Sequence, residues 1–320
     1  MLISLWMAQG YIVPFGDGQS IDDAAEECFL IMLRRCFFQD VKRDMYGEIV
    51  SCKIHDLMHD LAQDVAGREI CEVSSSHTMS VDERVRHLSY VNENLIKSSR
   101  AIIQIRTCLW VGGKDNELLV GLILSNCVRL RSLSLSDLDI RVLPESIGKL
   151  LHLRYLDLSL NRMLEELPKS ITKLHNLLVL KLSSCYELKK LPNDLSKLHK
   201  LWTLDISRCN KLKRLPTDMS KLAYLYTLTR YMIGGESMNV KECFDQLEDL
   251  KGLSNLKGSL KVQIQVPKNA KYVEEEHREG AYMRGKKHLN RIKLMSRTTK
   301  VWSMRKRCWK GCSRILISWG

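Results

Sequence analysis

The stretch "KIHDLMHDLAQD" places His55 and His59 four residues apart, each followed by an aspartate, Asp56 and Asp60. Residues four apart on a helix share one face. The pattern H-D-x-x-H stands one carboxylate away from H-E-x-x-H, the zinc motif whose glutamate acts as general base. A zinc metallohydrolase built on His55, Asp56 and His59 is therefore one chemistry to weigh. It ranks low, because aspartate is a carbon shorter than glutamate as a base and the sequence identifies no third ligand. The plain alternative is that both His-Asp pairs cap and decorate a surface helix.

Two further stretches could carry chemistry. "GAYMRGKK", Gly280 to Lys287, approximates the phosphate-cradling G-x-x-x-x-G-K-[ST] loop. It has Lys287 where a magnesium-binding hydroxyl is needed, and no strand pattern precedes it, so it reads as a decoy. The segment from Ala281 to Gly320 holds twelve Lys and Arg, no Asp or Glu, and Trp302, Trp309 and Trp319. Basic residues interleaved with aromatics suit nucleic acid or an anionic membrane surface. A shifted reading frame or early gene end would produce the same abrupt loss of acids, and that explanation is preferred for this tail. "HLNRIKL" within it resembles one more repeat start.

The elements that position these residues follow from composition and period. The chain has 320 residues and a formal net charge of +13. Outside residues 281–320 it carries 38 basic against 37 acidic residues, a net of +1, so the body offers no general basic surface. Eleven cysteines are scattered without a C-x-x-C pair, which points to reduced thiols in a cytoplasmic protein. "MLISLWMAQGYIV" lacks the basic start and small-residue cleavage site of a signal peptide, and no apolar run approaches the ~20 residues of a membrane span.

An L-x-x-L-x-L frame recurs at Leu130/Leu133/Leu135, Leu153/Leu156/Leu158, Leu177/Leu180/Leu182 and Leu201/Leu204/Ile206, with a weaker copy at Leu225/Leu228. The spacing lies within the ~20–29 residues of leucine-rich repeats. Asn161, Cys185 and Cys209 fill the N/C slot of that consensus, where the side chain turns inward and bonds backbone. Leu-Pro pairs follow at Pro144, Pro168, Pro192 and Pro216, where proline ends strand pairing. The predicted fold is an α/β leucine-rich-repeat solenoid, parallel strands on the concave face, running over residues 85–280. "RHLSYV" and "IRTCLWV" read as degenerate early strands, and "LSNLKGSLKV" as a late one. Each coil buries its leucines only against its neighbours. Outward slots expose Arg131, Arg154, Tyr155, Asp157, Lys181, Trp202, Thr203, Asp205, Tyr226 and Thr229, a candidate partner-binding surface rich in the aromatic and arginine side chains that dominate interfaces.

Ahead of the solenoid, residues 1–75 read as helix, hairpin, helix: a small winged-helix-like domain, with a linker over 76–84. Ser20 predicts an N-cap, and Leu57, Leu61 and Val65 line one face of the second helix.

"LWMAQGYI", then "RRCFFQD" and "CKIHDLMHDLA", resembles the last part of the nucleotide-binding (NB-ARC) region of plant nucleotide-binding leucine-rich-repeat disease-resistance proteins, coiled-coil subclass. The Leu-Pro and Cys repeats are similar to theirs, and the resemblance covers roughly residues 1–290. It implies that Ile54-His55-Asp56 stands at the family's Met-His-Asp motif, with His55 and Asp56 at the nucleotide site and His55 touching the β-phosphate of ADP. It also implies protein partners: an upstream nucleotide-binding half, and a pathogen effector or guarded host protein. No phosphate-binding loop precedes the segment, so the chain alone is expected to bind no ATP or ADP cofactor autonomously and to be no enzyme.

Overall fold

In the computed structural model, the described residues are 1–13, 19–44, 47, 49–71, 83–89, 103–109, 117–233, 246, 248–264, 289–296 and 315–317. The decoy loop at 280–287 lies outside them.

The chain opens with α1 (Leu2–Gln9), closed by Gly10 at φ 81, the left-handed conformation that glycine adopts without a Cβ penalty. Then come α2 (Ile21–Arg34), β1 (Phe38–Arg43), β2 (Ile49–Ile54) and α3 (Asp56–Ala66). Ser20 caps α2 as its type predicts, its hydroxyl oxygen accepting from the Asp23 amide. β1 and β2 pair antiparallel, and Phe29 of α2 stacks on Phe38 at 5.2 Å. The apolar stripe expected on the second helix falls on α3. Leu57, Leu61 and Val65 share a face but are 68%, 53% and 80% exposed, since no other described element of the chain covers them.

An eight-stranded parallel sheet follows, in the order of the sequence: β3 (Ile70–Cys71), β4 (His87–Leu88), β5 (Thr107–Leu109), β6 (Ser132–Ser134), β7 (Tyr155–Asp157), β8 (Val179–Lys181), β9 (Thr203–Asp205) and β10 (Thr227–Leu228). The middle residue of each frame, Leu133, Leu156, Leu180 and Leu204, is in register and fully buried. Opposite the strands lie 3-10 turns at Glu145–Lys149, Lys169–Lys173, Asn193–Lys197 and Met219–Lys221. Pro144, Pro168 and Pro192 stand at the N-caps of the first three, supplying the fixed φ that turns the chain away from the sheet. A helix, α4 (Glu117–Asn126), takes the place of a turn between β5 and β6.

Between coils, the N/C slot is a polar stitch. Asn161 is fully buried; its amide donates to the carbonyls of Leu135 and Leu158, and its oxygen accepts from the amides of Leu138 and Ile140. Cys185 and Cys209 repeat the position with one thiol donor each, to Leu158 and Leu182 carbonyls.

The array departs from the expected boundaries at both ends. Its sheet begins at Ile70–Cys71, inside residues 1–75 assigned above to the winged-helix-like domain. Past Leu228 the chain shifts into a second parallel sheet, β11 (Arg230–Ile233), β12 (Gly258–Ile264), β13 (Leu289–Ser296) and β14 (Ile315–Ile317). β13 takes up the "HLNRIKL" pattern from Leu289 onward and β14 lies deeper still, so strand pairing runs into the stretch 281–320 read as a basic tail.

Candidate functional site

Residues one place before each strand form a column: Arg106, Arg131, Arg154, Leu178, Trp202, Tyr226. The next outward column is Thr107, Ser132, Tyr155, Val179, Thr203, Thr227, set by the parallel register. A third runs Ser134, Asp157, Lys181, Asp205, so the Lys181 ammonium sits between two carboxylate positions.

The chain's own first helix lies on these columns. Ala8 packs fully buried against Tyr155 and Val179, flanked by Leu5 and Leu178. Met7, Ile12, Ala24 and Ala25 form a second cluster that reaches Trp202. Gln9 drives its amide between strands, donating to Thr107 Oγ1 and Ser132 Oγ, both at 2.8 Å. The carbonyls at the end of α1 are the orphan acceptors every helix leaves. Arg131 donates to the Gln9 carbonyl at 2.9 Å and Arg154 to the Ala8 carbonyl at 3.5 Å. Cations belong at this end of a helix dipole. Burial, then repulsion from Arg106 and Arg154, pulls the Arg131 guanidinium below its ordinary value. At the far edge, Lys257 bridges to Asp23 of α2 at 2.9 Å and stands 4.6 Å over the Tyr226 ring.

Sequence reasoning treats Tyr155 and Asp157 as free outward side chains. The structure corrects this: Tyr155 is 1% and Asp157 8% exposed, because α1 covers that part of the strand face. The Tyr155 hydroxyl donates to Asp157 Oδ2 at 3.1 Å, and burial holds the phenol protonated well above its usual range. Lys181 lies 5.5 Å from the same ring. Trp202 and Tyr226 pair at 5.1 Å with planes tilted by 53°. Asp205 accepts from Thr229 and from the Ser207 amide, so both are tied into the backbone turn. Thr203 remains half-buried beside Leu204. Ala8, Gln9, Asp23, Val179 and Lys257 escape sequence reasoning, since which helix end meets which strand is a tertiary fact. The stacked Arg106, Arg131 and Arg154 are the one signal that a carbonyl-rich or anionic surface must face them.

His55 and Asp56 lie elsewhere, at the junction of β2 and α3. His55 caps α3: its Nδ1 accepts from the Leu57 amide at 3.3 Å and its own amide donates to the Phe37 carbonyl. Asp56 accepts from Gln39 at 3.2 Å. His59 is exposed, with Nδ1 3.5 Å from Asp60. His55 Nδ1 is thus spent on the cap, and no group of three or more metal-capable side chains gathers among the described residues. A histidine and one helix N-terminus do not by themselves make a nucleotide cradle.

A parallel-strand solenoid whose strand face clasps an N-terminal helical unit is the class this geometry defines. The family described as leucine-rich repeat region matches residues 104–311, and the disease resistance protein winged helix domain matches residues 1–62. The chain belongs to the leucine-rich-repeat family and carries a disease-resistance winged-helix domain ahead of its repeats. Over 160 residues it is 32% identical to the disease resistance protein RGA1 of Solanum bulbocastanum, covering 50% of this chain and 14% of that one. It is 28% identical to disease resistance RPP13-like protein 4 of Arabidopsis thaliana, covering 49% and 19%. It is 30% identical to ToMV resistance protein Tm-2(2) of Solanum lycopersicum, covering 50% and 20%. The chain thus spans a fifth or less of the length of each of these relatives. Among solved structures, a leucine-rich-repeat protein of Leptospira interrogans, LIC12759, aligns at 19% identity and TM-score 0.46, over 74% of this chain and 53% of that one. No helix among the described residues is long and apolar enough to cross a membrane.

Proposed function

We propose that this chain is the recognition part of a cytoplasmic plant immune receptor of the coiled-coil subclass. Its repeat surface holds the winged-helix unit at rest and releases it when a pathogen effector or guarded host protein engages the array. The observation that carries the reading is the seating of α1 on the strand face through Gln9, Arg131 and Arg154. A surface that grips a neighbouring module by a few hydrogen bonds can be made to let go by a competitor of modest differential affinity. In the same reading His55 and Asp56 meet the phosphate of ADP only when an upstream nucleotide-binding half is joined to them, at a helix N-terminus suited to anions.

The clasp is tested in the full chain by Arg131→Glu with Arg154→Glu. Hydrogen exchange followed by mass spectrometry should show the amides of residues 2–9 exchanging at least about tenfold faster, as expected when two charge-assisted bonds are lost. Strands β7 to β9 should keep their protection. Unchanged exchange in α1 in a folded double variant would remove the clasp, and with it the proposed resting state.

A further inference from the structure

We propose that the groove between α1, the start of α2 and the Trp202–Tyr226 wall is a binding site for a small amphipathic carboxylate, an apolar body ending in one anionic group. The groove encloses a volume of about 870 Å³. That falls in the range of roughly 300–1,000 Å³ typical of small-ligand sites, which are mostly apolar with a few convergent polar groups. Met7, Leu178, Trp202 and Tyr226 supply the apolar walls. The two rings, 5.1 Å apart and tilted, present a surface for an acyl chain or an aromatic body.

The charges at the rim select the sign. Lys257 and Lys200 both line the groove, against one carboxylate among the described residues, Asp23. Lys257 bridges to Asp23, whereas Lys200 donates to Asn176 Oδ1 at 2.9 Å and forms no ion pair among the described residues. Among the described residues two ammonium groups meet one carboxylate, which leaves the positive sign in excess beside apolar walls. The first turn of α2, entering the groove at Ser20 and Ile21, adds its positive helix end. The buried indole N–H of Trp202 meets no acceptor among the described residues. A carboxylate seated at Lys257 competes with Asp23 for the same ammonium. Since Asp23 belongs to the helical unit and Lys257 to the repeats, the ligand trades places with a contact that joins them. This inference rests on the groove alone and not on the receptor reading.

The test is calorimetric titration of the full chain with decanoate, kept below its micelle concentration, and with decanol as its neutral counterpart. Decanoate should bind saturably, one per chain, at least about tenfold more tightly than decanol, the worth of one charge-assisted bond. Lys257→Met keeps the apolar stem and should bring decanoate down to decanol's affinity. Asp23→Asn removes the internal competitor at an exposed position and should tighten decanoate while leaving decanol unchanged. Absence of saturable binding overturns the site. Equal affinities for the two probes, or an Asp23→Asn chain indistinguishable from the parent, overturn the charge assignment, whether or not the Lys257→Met chain folds.

Discussion

Asn161 concentrates four hydrogen bonds in one buried side chain, tying two successive coils together. Its removal leaves the Leu138 and Ile140 amides and the Leu135 carbonyl without partners in a buried site, while the Leu158 carbonyl keeps the Cys185 thiol. Asn161→Ala should therefore cost about 3 kcal/mol or more, since each orphaned buried group carries its own desolvation penalty. Chemical denaturation measures it, and a loss under about 1 kcal/mol would mean that water replaces the side chain. Cys185 and Cys209 do the same task with a single donor. Burial raises both thiols to about 12. Only the thiolate is nucleophilic, so in the native chain at neutral pH both should resist iodoacetamide while exposed Cys36 reacts, as read by peptide mass spectrometry. The same shift fixes a pH dependence. The native pKa lies above the unfolded value of 9.0, so the stabilisation is complete below pH 9.0 and is lost as pH rises from there toward about 12. Melting temperature should fall on the alkaline side of pH 9.0, and a flat profile would remove this contribution.

At the level of the element, the repeating coil works because its turn side is as closely packed as its strand side. A Cβ built on Gly148 would stand 2.6 Å from Ser170 Cβ and 2.9 Å from the Ser170 carbonyl. Gly148→Ala forces adjacent 3-10 turns apart and should cost about 1–3 kcal/mol. Gly121, inside α4, meets nothing within 4 Å, so Gly121→Ala should stabilise by about 0.5–1 kcal/mol. Equal shifts from the two, in thermal melts, would mean that the coil spacing adjusts freely. The contrast also shows what is legible without coordinates. Strand positions, the inward leucines, the Asn/Cys slot and the proline turns all follow from period, because each is enforced by contacts one repeat away. The hairpin, α2 and α3 of the first domain follow from caps and alternation. The docking of α1 does not: Ala8 and Gln9 carry no pattern, and their partners Thr107, Ser132 and Tyr155 lie about a hundred residues or more along the chain. Outward slots on the strands predict exposure only if nothing else sits there, and that condition lies outside the repeat.

Across the whole molecule, two faces of the winged-helix domain have opposite fates. One is spent on the repeats through Met7, Ala8, Ala24 and Ala25. The other, on α3, leaves Leu57, Leu61 and Val65 open. A stripe of large apolar side chains that no other described element covers favours self-association more than stability. Leu57→Ser with Leu61→Ser should leave the melting temperature within about 1 °C, as expected of surface positions, and lower light scattering at high protein concentration. A marked drop in melting temperature would instead place this face inside the folded core.

Arg131 and Arg154 take hold of main-chain oxygens, not of side chains. Any helix that ends at the right place offers the same two oxygens, whatever its composition. The small side chain of Ala8, the amide of Gln9 and the glycine after them discriminate, helped by Met7 and Asp23. Related chains that exchanged their first domains by recombination would keep the arginine grip intact as long as those few positions were kept. The joint is then a standard fitting between interchangeable parts, free to be inherited separately from whatever the repeats evolve to recognise.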